Sequence, residues 1–305
     1  MNDPAPIETV RDRSRRLLIW LPAPAIRVSL WLHAGGTASL AADPSCWPGV
    51  LGVLAANHAI LACGMHPRSR FLGPNVTRLP PAAAESAMVA LTFDDGPDPA
   101  VTPRVLDMLD SVGAKASFFV IGRRAARHGD LLREMLRRGH SIENHTYRHP
   151  LTFACWSPAA MLREIDAAQR AIADACGQEP WFFRPPAGLR SPLLDPVLAI
   201  AGLSLVSWTR RGYDGVGNQP AAVLRRLTCG LAAGDLLVLH DGRAVGGDCG
   251  QRAALSVLPS LLARFDDLGL RAASLRQALG ERPAACGAGP QGAAPSRAPA
   301  AYASM

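Results

Sequence analysis

Four short polar clusters in this 305-residue chain carry groups that chemistry needs. The first is Asp94-Asp95, where an apolar run (88–93) stops on two carboxylates followed by Gly96-Pro97. Two acids at the end of a buried strand are costly to keep charged without a partner, and a bound cation removes that cost. Taken alone, the pair also reads as a cap on the helix entry at 98–105. The second cluster, Asn144-His-Thr-Tyr-Arg-His-Pro150, holds His145 and His149. Four residues apart, two neutral imidazoles share a helix face or converge on a tight turn, a common metal-ligand arrangement. One carboxylate plus two imidazoles on a divalent ion leaves room for water and substrate, the layout of a catalytic site. Arg184, at a strand end before Pro185-Pro186, is placed to orient a carboxylate through paired hydrogen bonds. His240 closes the apolar run 236–239 and is poised as a general acid, its unperturbed pKa being about 6.5. Singly, these last two also read as a surface arginine at a turn and a core histidine. His140 is read as structural.

The elements that must position these groups alternate. Strands are expected at 88–93, 116–121, 141–144, 181–184, 203–208, 235–240 and 270–274. Amphipathic helices fit between them, for example at 131–138 and 161–175. This rhythm implies an α/β fold with a mostly parallel sheet, open or closed into a barrel, with the chemistry at the carboxyl ends of its strands. All four clusters sit at such ends.

Together and in order, Thr92-Phe-Asp-Asp-Gly-Pro97, His145-Thr-Tyr-Arg-His149, Arg184-Pro-Pro186 and Leu237-Val-Leu-His-Asp241 resemble the polysaccharide deacetylase family. This is the NodB-homology domain, or carbohydrate esterase family 4, and the resemblance covers 86–280. It implies a distorted (β/α) barrel of about seven strands and hydrolysis of an N-acyl group on an amino sugar. It further implies Zn2+ or another divalent transition metal on Asp95, His145 and His149. Asp94 would be the general base held by Arg184, and His240 the general acid, with a backbone N–H near Ala187 as oxyanion donor. Two departures stand out. Ala187 replaces an aromatic residue usual in polymer-active members. The family's Asp-x-x-Asp-Trp keeps only its second acid, Asp214, expected to tune His240, with Arg211 and Gly215 in the other places. Arg210 and Arg211 would suit a phosphate on the substrate.

Upstream, Arg11, Arg13, Arg15 and Arg16 precede an apolar stretch at 17–42, and a second, uncharged one follows at 46–65. No Lys or Arg lies between Arg27 and Arg68, and Arg68, Arg70 and Arg78 come after. Basic outer flanks and a short loop without basic residues predict a transmembrane helical hairpin with both ends in the cytoplasm. A cleaved signal peptide and a soluble hairpin are the rival readings. Asn57 and His58 are expected to serve inter-helix hydrogen bonding. The domain reading is therefore 1–80 basic segment, hairpin and linker (79–84 leading into the domain), 81–280 catalytic domain, and 281–305 disordered tail. The net charge of +7 rests on scattered arginines, with Lys115 the only lysine, which argues against a nucleic-acid groove. Seven cysteines without Cys-x-x-Cys argue against a disulfide framework and for a reducing compartment.

These features are similar to the membrane-associated branch of the family. The implied partner is then a polyprenyl-phosphate-linked N-acetylhexosamine, with membrane lipid nearby, in lipid A or envelope modification at the cytoplasmic face of the bacterial inner membrane. The alternatives are an extracytoplasmic deacetylase of peptidoglycan or poly-N-acetylglucosamine, and a non-catalytic, membrane-tethered glycan-binding module.

Overall fold

The computed structural model describes residues 20–216, 219–242 and 249–280. The four N-terminal arginines and the tail at 281–305 fall outside them. Seven of the eight strands form one parallel path, β5-β4-β3-β2-β1-β7-β6, and β8 pairs with the start of β1. They are β1 (Met88–Asp94), β2 (Ser117–Val120), β3 (Ser141–Asn144), β4 (Phe182–Phe183), β5 (Ser204–Leu205), β6 (Arg210–Arg211), β7 (Leu236–His240) and β8 (Arg271–Ala273). The edges β5 and β6 are consecutive in the chain. From Leu205 to Arg210 is five Cα steps, roughly 18 Å at full extension. Seven flat strands would set their edges roughly 29 Å apart. The sheet therefore curls into an open barrel.

Side-chain alternation decides what enters that barrel. Val89, Leu91 and Phe93 of β1 join Leu237 and Leu239 of β7 in the outer core, under the surrounding helices. Ala90 and Leu236 face the other way, into an inner core with Phe119 and Phe182. Asp94 and His240 share the inward parity and stand in register with each other. Sequence spacing alone thus aims both at one space.

Helices α1 (Pro24–Ala42) and α2 (Trp47–Cys63) precede the barrel, followed by α3 (Pro81–Glu85). Around the sheet lie α4 (Thr102–Asp110), α5 (Gly122–Ala125), α6 (Gly129–Arg137), α7 (Pro158–Cys176), α8 (Leu194–Ala201), α9 (Pro220–Thr228), α10 (Cys249–Asp267) and α11 (Leu275–Leu279). The sequence shows why α7 has these limits. Ser157 caps it by accepting from the Ala160 N–H, Pro158 suits its first turn, and Gly177 leaves it at φ 73°.

α1 and α2 pack on one another around a hydrogen bond from Asn57 Nδ2 to Ser29 Oγ (2.9 Å). The His33 and His58 rings meet edge to face beside it (5.2 Å). Among the described helices, only the stretch Pro44–Cys63 is long and apolar enough to cross a bilayer. α1, which carries Arg27, falls short of that criterion. The residues read as a linker are folded down. Leu79 is buried and donates its N–H to the Gly234 carbonyl (2.9 Å), and 81–85 form α3. Both ends of the hairpin are tied to one stretch of the barrel: Trp20 Nε1 donates to Asp195 (2.8 Å), and the Met65 carbonyl accepts from the Arg190 N–H (3.2 Å).

His140 packs in the core, its Nδ1 accepting the Ala116 N–H (3.2 Å) and its ring edge-on to Phe118. Burial, reinforced by Lys115, pushes its pKa down to about 4. The folded value lies below the unfolded one, so the stability involved is complete above about pH 6.5 and is lost as the pH falls toward 4. A His140→Leu variant is expected to lose less stability than the native chain between pH 7 and 4.5, by roughly 2–3 kcal/mol in urea unfolding. Equal losses would refute this.

Candidate active site

The site is assembled at the carboxyl ends of β1, β3, β4 and β7. Asp95 follows β1 with φ 72°, and this left-handed turn swings its carboxylate away from the path of Asp94. Arg124 Nη1 holds the Asp95 carbonyl (2.6 Å). Gly96 must be glycine, because a Cβ there would lie 2.5 Å from the Asp241 carboxylate.

His145 and His149 lie on a tight turn rather than a helix, with Thr146 at φ 65° and His149 at φ 61°. Non-glycine residues in that region are strained and persist where surrounding contacts hold them. Here the holders are side chains. Asn144 Oδ1 accepts from the Thr146 N–H (2.9 Å), Thr146 Oγ1 from the His149 N–H (3.0 Å), and Glu164 grips Arg148 through its N–H and guanidinium.

The turn brings both Nε2 atoms to one carboxylate oxygen. Asp95 Oδ1 is 3.3 Å from His145 and 3.2 Å from His149, and all three ligand atoms lie within 4.8 Å of one another. His145 Nδ1 is 2.7 Å from the Arg184 carbonyl, which only accepts, so Nδ1 carries the proton and Nε2 points inward as a lone pair. Burial and the adjoining His145 push His149 down to about 4, which keeps it neutral. Asp95 Oδ1 is buried without a well-directed hydrogen bond. Burial acts to raise this carboxyl, yet the His145 contact and nearby imidazoles outweigh it and hold it below the usual range. Lone pairs converging on an unsatisfied buried carboxylate are what a divalent cation fits, and this donor set suits one.

Beside them, Arg184 is wholly buried. Its Nη1 donates to Asp94 Oδ1 (2.6 Å) and Thr92 Oγ1 (2.9 Å), while Nε and Nη2 reach the Val206 and Ser207 carbonyls. Its guanidinium carbon lies 4.0 Å from the Phe119 ring centroid. His240 is held at two points by Asp214, through Nδ1 to Oδ1 (2.8 Å) and through its backbone N–H to Oδ2 (2.8 Å). Burial opposes a charged ring, but Asp214 overcomes it, and with Asp95 and Asp94 pushes His240 up to about 9.

All seven residues singled out from the sequence thus converge as two groups: Asp95, His145 and His149 around one point, and Asp94–Arg184 with His240–Asp214 beside it. Arg210 does not join them. It is spent on Asp235 and on the Cys229 and Gly230 carbonyls, because alternation along β6 turns it away from Arg211. Thr92, Glu164 and Arg124 are the supporting residues the sequence reading missed. Thr92 lay inside a quoted motif, whereas Glu164 and Arg124 gave no local signal.

The polysaccharide deacetylase family profile matches residues 82–206. A chitooligosaccharide deacetylase from a Bradyrhizobium species is 38% identical over 159 residues, 52% of this chain and 72% of that protein. A peptidoglycan-N-acetylglucosamine deacetylase from Bacillus cereus is 34% identical over 178 residues, 57% of this chain and 81% of its own. Among solved structures, a family 4 carbohydrate esterase from Streptomyces lividans in complex with acetate superposes with a TM-score of 0.55. It is 32% identical, with 61% of this chain and 91% of that one covered. The chain belongs to the polysaccharide deacetylase family, an enzyme class that hydrolyses amide bonds on amino sugars.

Proposed function

We propose that the protein is a metal-dependent N-deacetylase of N-acetylhexosamine units. The observation that carries this is the meeting of Asp95, His145 and His149 beside the Arg184-held Asp94 and the Asp214-held His240. Those three ligands would hold Zn2+ or another divalent transition metal, which when bound supplies Lewis acidity toward an amide carbonyl and water. Arg184 occupies Asp94 Oδ1 and fixes the orientation of the carboxylate, leaving Oδ2 to take a proton from the attacking water. Asp214 fixes the proton on His240 Nδ1, so Nε2 faces the site and, when protonated, delivers a proton to the departing amine. A main-chain N–H at Ala187, whose φ of 55° reshapes that turn, is the second oxyanion donor.

This assignment sets the pH dependence. The acid form of His240 exists below its pKa, so activity persists into mildly alkaline solution and falls as the pH rises through about 9. Asp214 supplies the largest upward push, whatever Asp95 holds. In Asp214→Asn the alkaline limb of kcat/KM is expected to move down toward about 6.5. An unmoved limb would remove His240 as the acid.

The activities of the relatives support a glycan such as chitooligosaccharide or peptidoglycan as substrate. Two features of this chain favour instead a polyprenyl-phosphate-linked N-acetylhexosamine at a membrane, on its cytoplasmic face. One is α2, an apolar helix whose exit at Met65 is pinned beside the Arg184 motif. The hairpin exposes Trp31 and Trp47 at 74% and 59%. The other is Ala187, which offers no ring for a sugar chain to stack on. Full-length protein in detergent with zinc, beside Asp94→Asn, is given polyprenyl-phosphate N-acetylhexosamine and, separately, chito-oligosaccharide, with acyl loss followed by mass spectrometry. Loss from the lipid-linked sugar alone supports the membrane reading. Loss from the oligosaccharide alone transfers the proposal to a glycan polymer, and loss from neither ends it.

A further inference from the structure

Arg211 stands at the edge of this site in an unusual setting. Trp208 separates it from the catalytic-side arginine: the ring centroid lies 5.8 Å from the Arg184 guanidinium carbon and 4.9 Å from that of Arg211. On its other side Arg211 stacks at 5.1 Å on Tyr213, whose ring also meets Arg226 at 5.8 Å. Two guanidiniums therefore share one half-exposed phenol ring. Neither forms an ion pair with a carboxylate among the described residues. The nearest acid in sequence, Asp214, is fully occupied by His240. Among the described residues, Arg211 Nε is buried with no hydrogen-bond partner, and Nη1 reaches the Ala187 carbonyl at 3.4 Å. Arg226 Nη1 donates to the Gly212 carbonyl (3.3 Å).

Several other partly buried arginines are matched by carboxylates. Arg210 has Asp235, Arg138 has Glu134, and Arg276 has Glu143. Two like charges held by aromatic rings, one with its Nε desolvated, cost free energy that an anion between them would recover. The stacking also fixes the planar fork in advance, so little side-chain freedom is lost when a ligand is gripped. The contact of Arg211 with the Ala187 carbonyl places this fork beside the turn that follows Arg184.

We propose that Arg211 and Arg226, braced by Trp208 and Tyr213, form an anion subsite for a phosphate carried by the sugar next to the acyl group being removed. This deepens the deacetylase reading and rests on it for the neighbouring sugar pocket. Two guanidiniums offer more N–H donors than the two oxygens of a carboxylate can take up, and they match the oxygens of a phosphate, monoester or diester. The phosphate can belong to the sugar itself or to a lipid carrier, and the same fork reads both.

The test is direct binding, which needs no turnover. The zinc-loaded full-length protein in detergent is titrated calorimetrically with N-acetylglucosamine, N-acetylglucosamine 1-phosphate and N-acetylmuramic acid. The phosphorylated sugar is expected to bind at least about 10-fold more tightly than the neutral one. Arg211→Ala should erase that preference while leaving binding of the neutral sugar within about twofold. Arg211→Lys, which keeps the charge without the fork, should restore part of it. Adding phosphatidylglycerol to the detergent micelles separates the sources: competition shows that a lipid headgroup also fits, and its absence restricts the subsite to sugar phosphate. Equal native affinity for neutral and phosphorylated sugar, or a preference for muramic acid, overturns the proposal. A loss of all three ligands in Arg211→Ala would show a structural arginine and overturn it equally. If the protein deacetylates nothing yet keeps the phosphate preference, the subsite stands and the deacetylase reading fails.

Discussion

Asp94→Asn is expected to leave the protein folded and to lower the rate of deacetylation by roughly 10²–10⁴-fold, the usual contribution of a positioned general base. The amide keeps an oxygen for Arg184 Nη1, so the hydrogen bond at 2.6 Å survives in form. What disappears is the second basic oxygen, since an amide nitrogen accepts no proton from water. The ligand set Asp95, His145 and His149 is untouched, so zinc content should equal that of the native protein. Asp95→Asn is expected to behave in the opposite sense, with metal affinity falling first and activity following it. The two neighbouring acids are thereby separable by one pair of measurements, kcat and bound metal. Equal metal loss in both variants would contradict the assignment of Asp94 as base.

Arg184→Met is expected to destabilise the fold by about 3–5 kcal/mol, the cost of breaking a buried ion pair from one side. Methionine fills much of the volume, but Asp94 is left buried with its charge uncompensated, and the Val206 and Ser207 carbonyls lose their donors. The loss is a large part of the roughly 5–15 kcal/mol that a typical native protein has. Arg184→Lys should fall between the two, because an ammonium cannot form the same fork. Urea unfolding at neutral pH measures both. A loss under about 1 kcal/mol for the methionine variant would contradict a stabilising role for the buried Arg184–Asp94 contact.

The site was legible because its signals are local. β1 and β7 are apolar runs long enough to read as buried strands, and each ends on a polar residue of inward parity. Residues 141–144 were placed without error for the same reason. The histidine turn was recognised by spacing, although its left-handed residues were not, since only the Asn144, Thr146 and Glu164 contacts make them tolerable. β6 escaped notice because two residues have no periodicity, and with it went the opposite orientations of Arg210 and Arg211. Arg124, 29 residues from Asp95, supports it through a contact that only the folded sheet creates. The stretch after α2 read as connection for a similar reason. Its bonds run to partners far along the chain, such as Pro67 to Ser207 and Val76 to Leu205.

The most direct test of the central claim is calorimetric zinc titration of metal-depleted protein, followed by acetate release from an N-acetylhexosamine substrate at each step. The account predicts one zinc per chain, activity rising in proportion to bound zinc, and loss of both in His149→Ala. Full activity without metal, or zinc binding unaffected by His149→Ala, would contradict it.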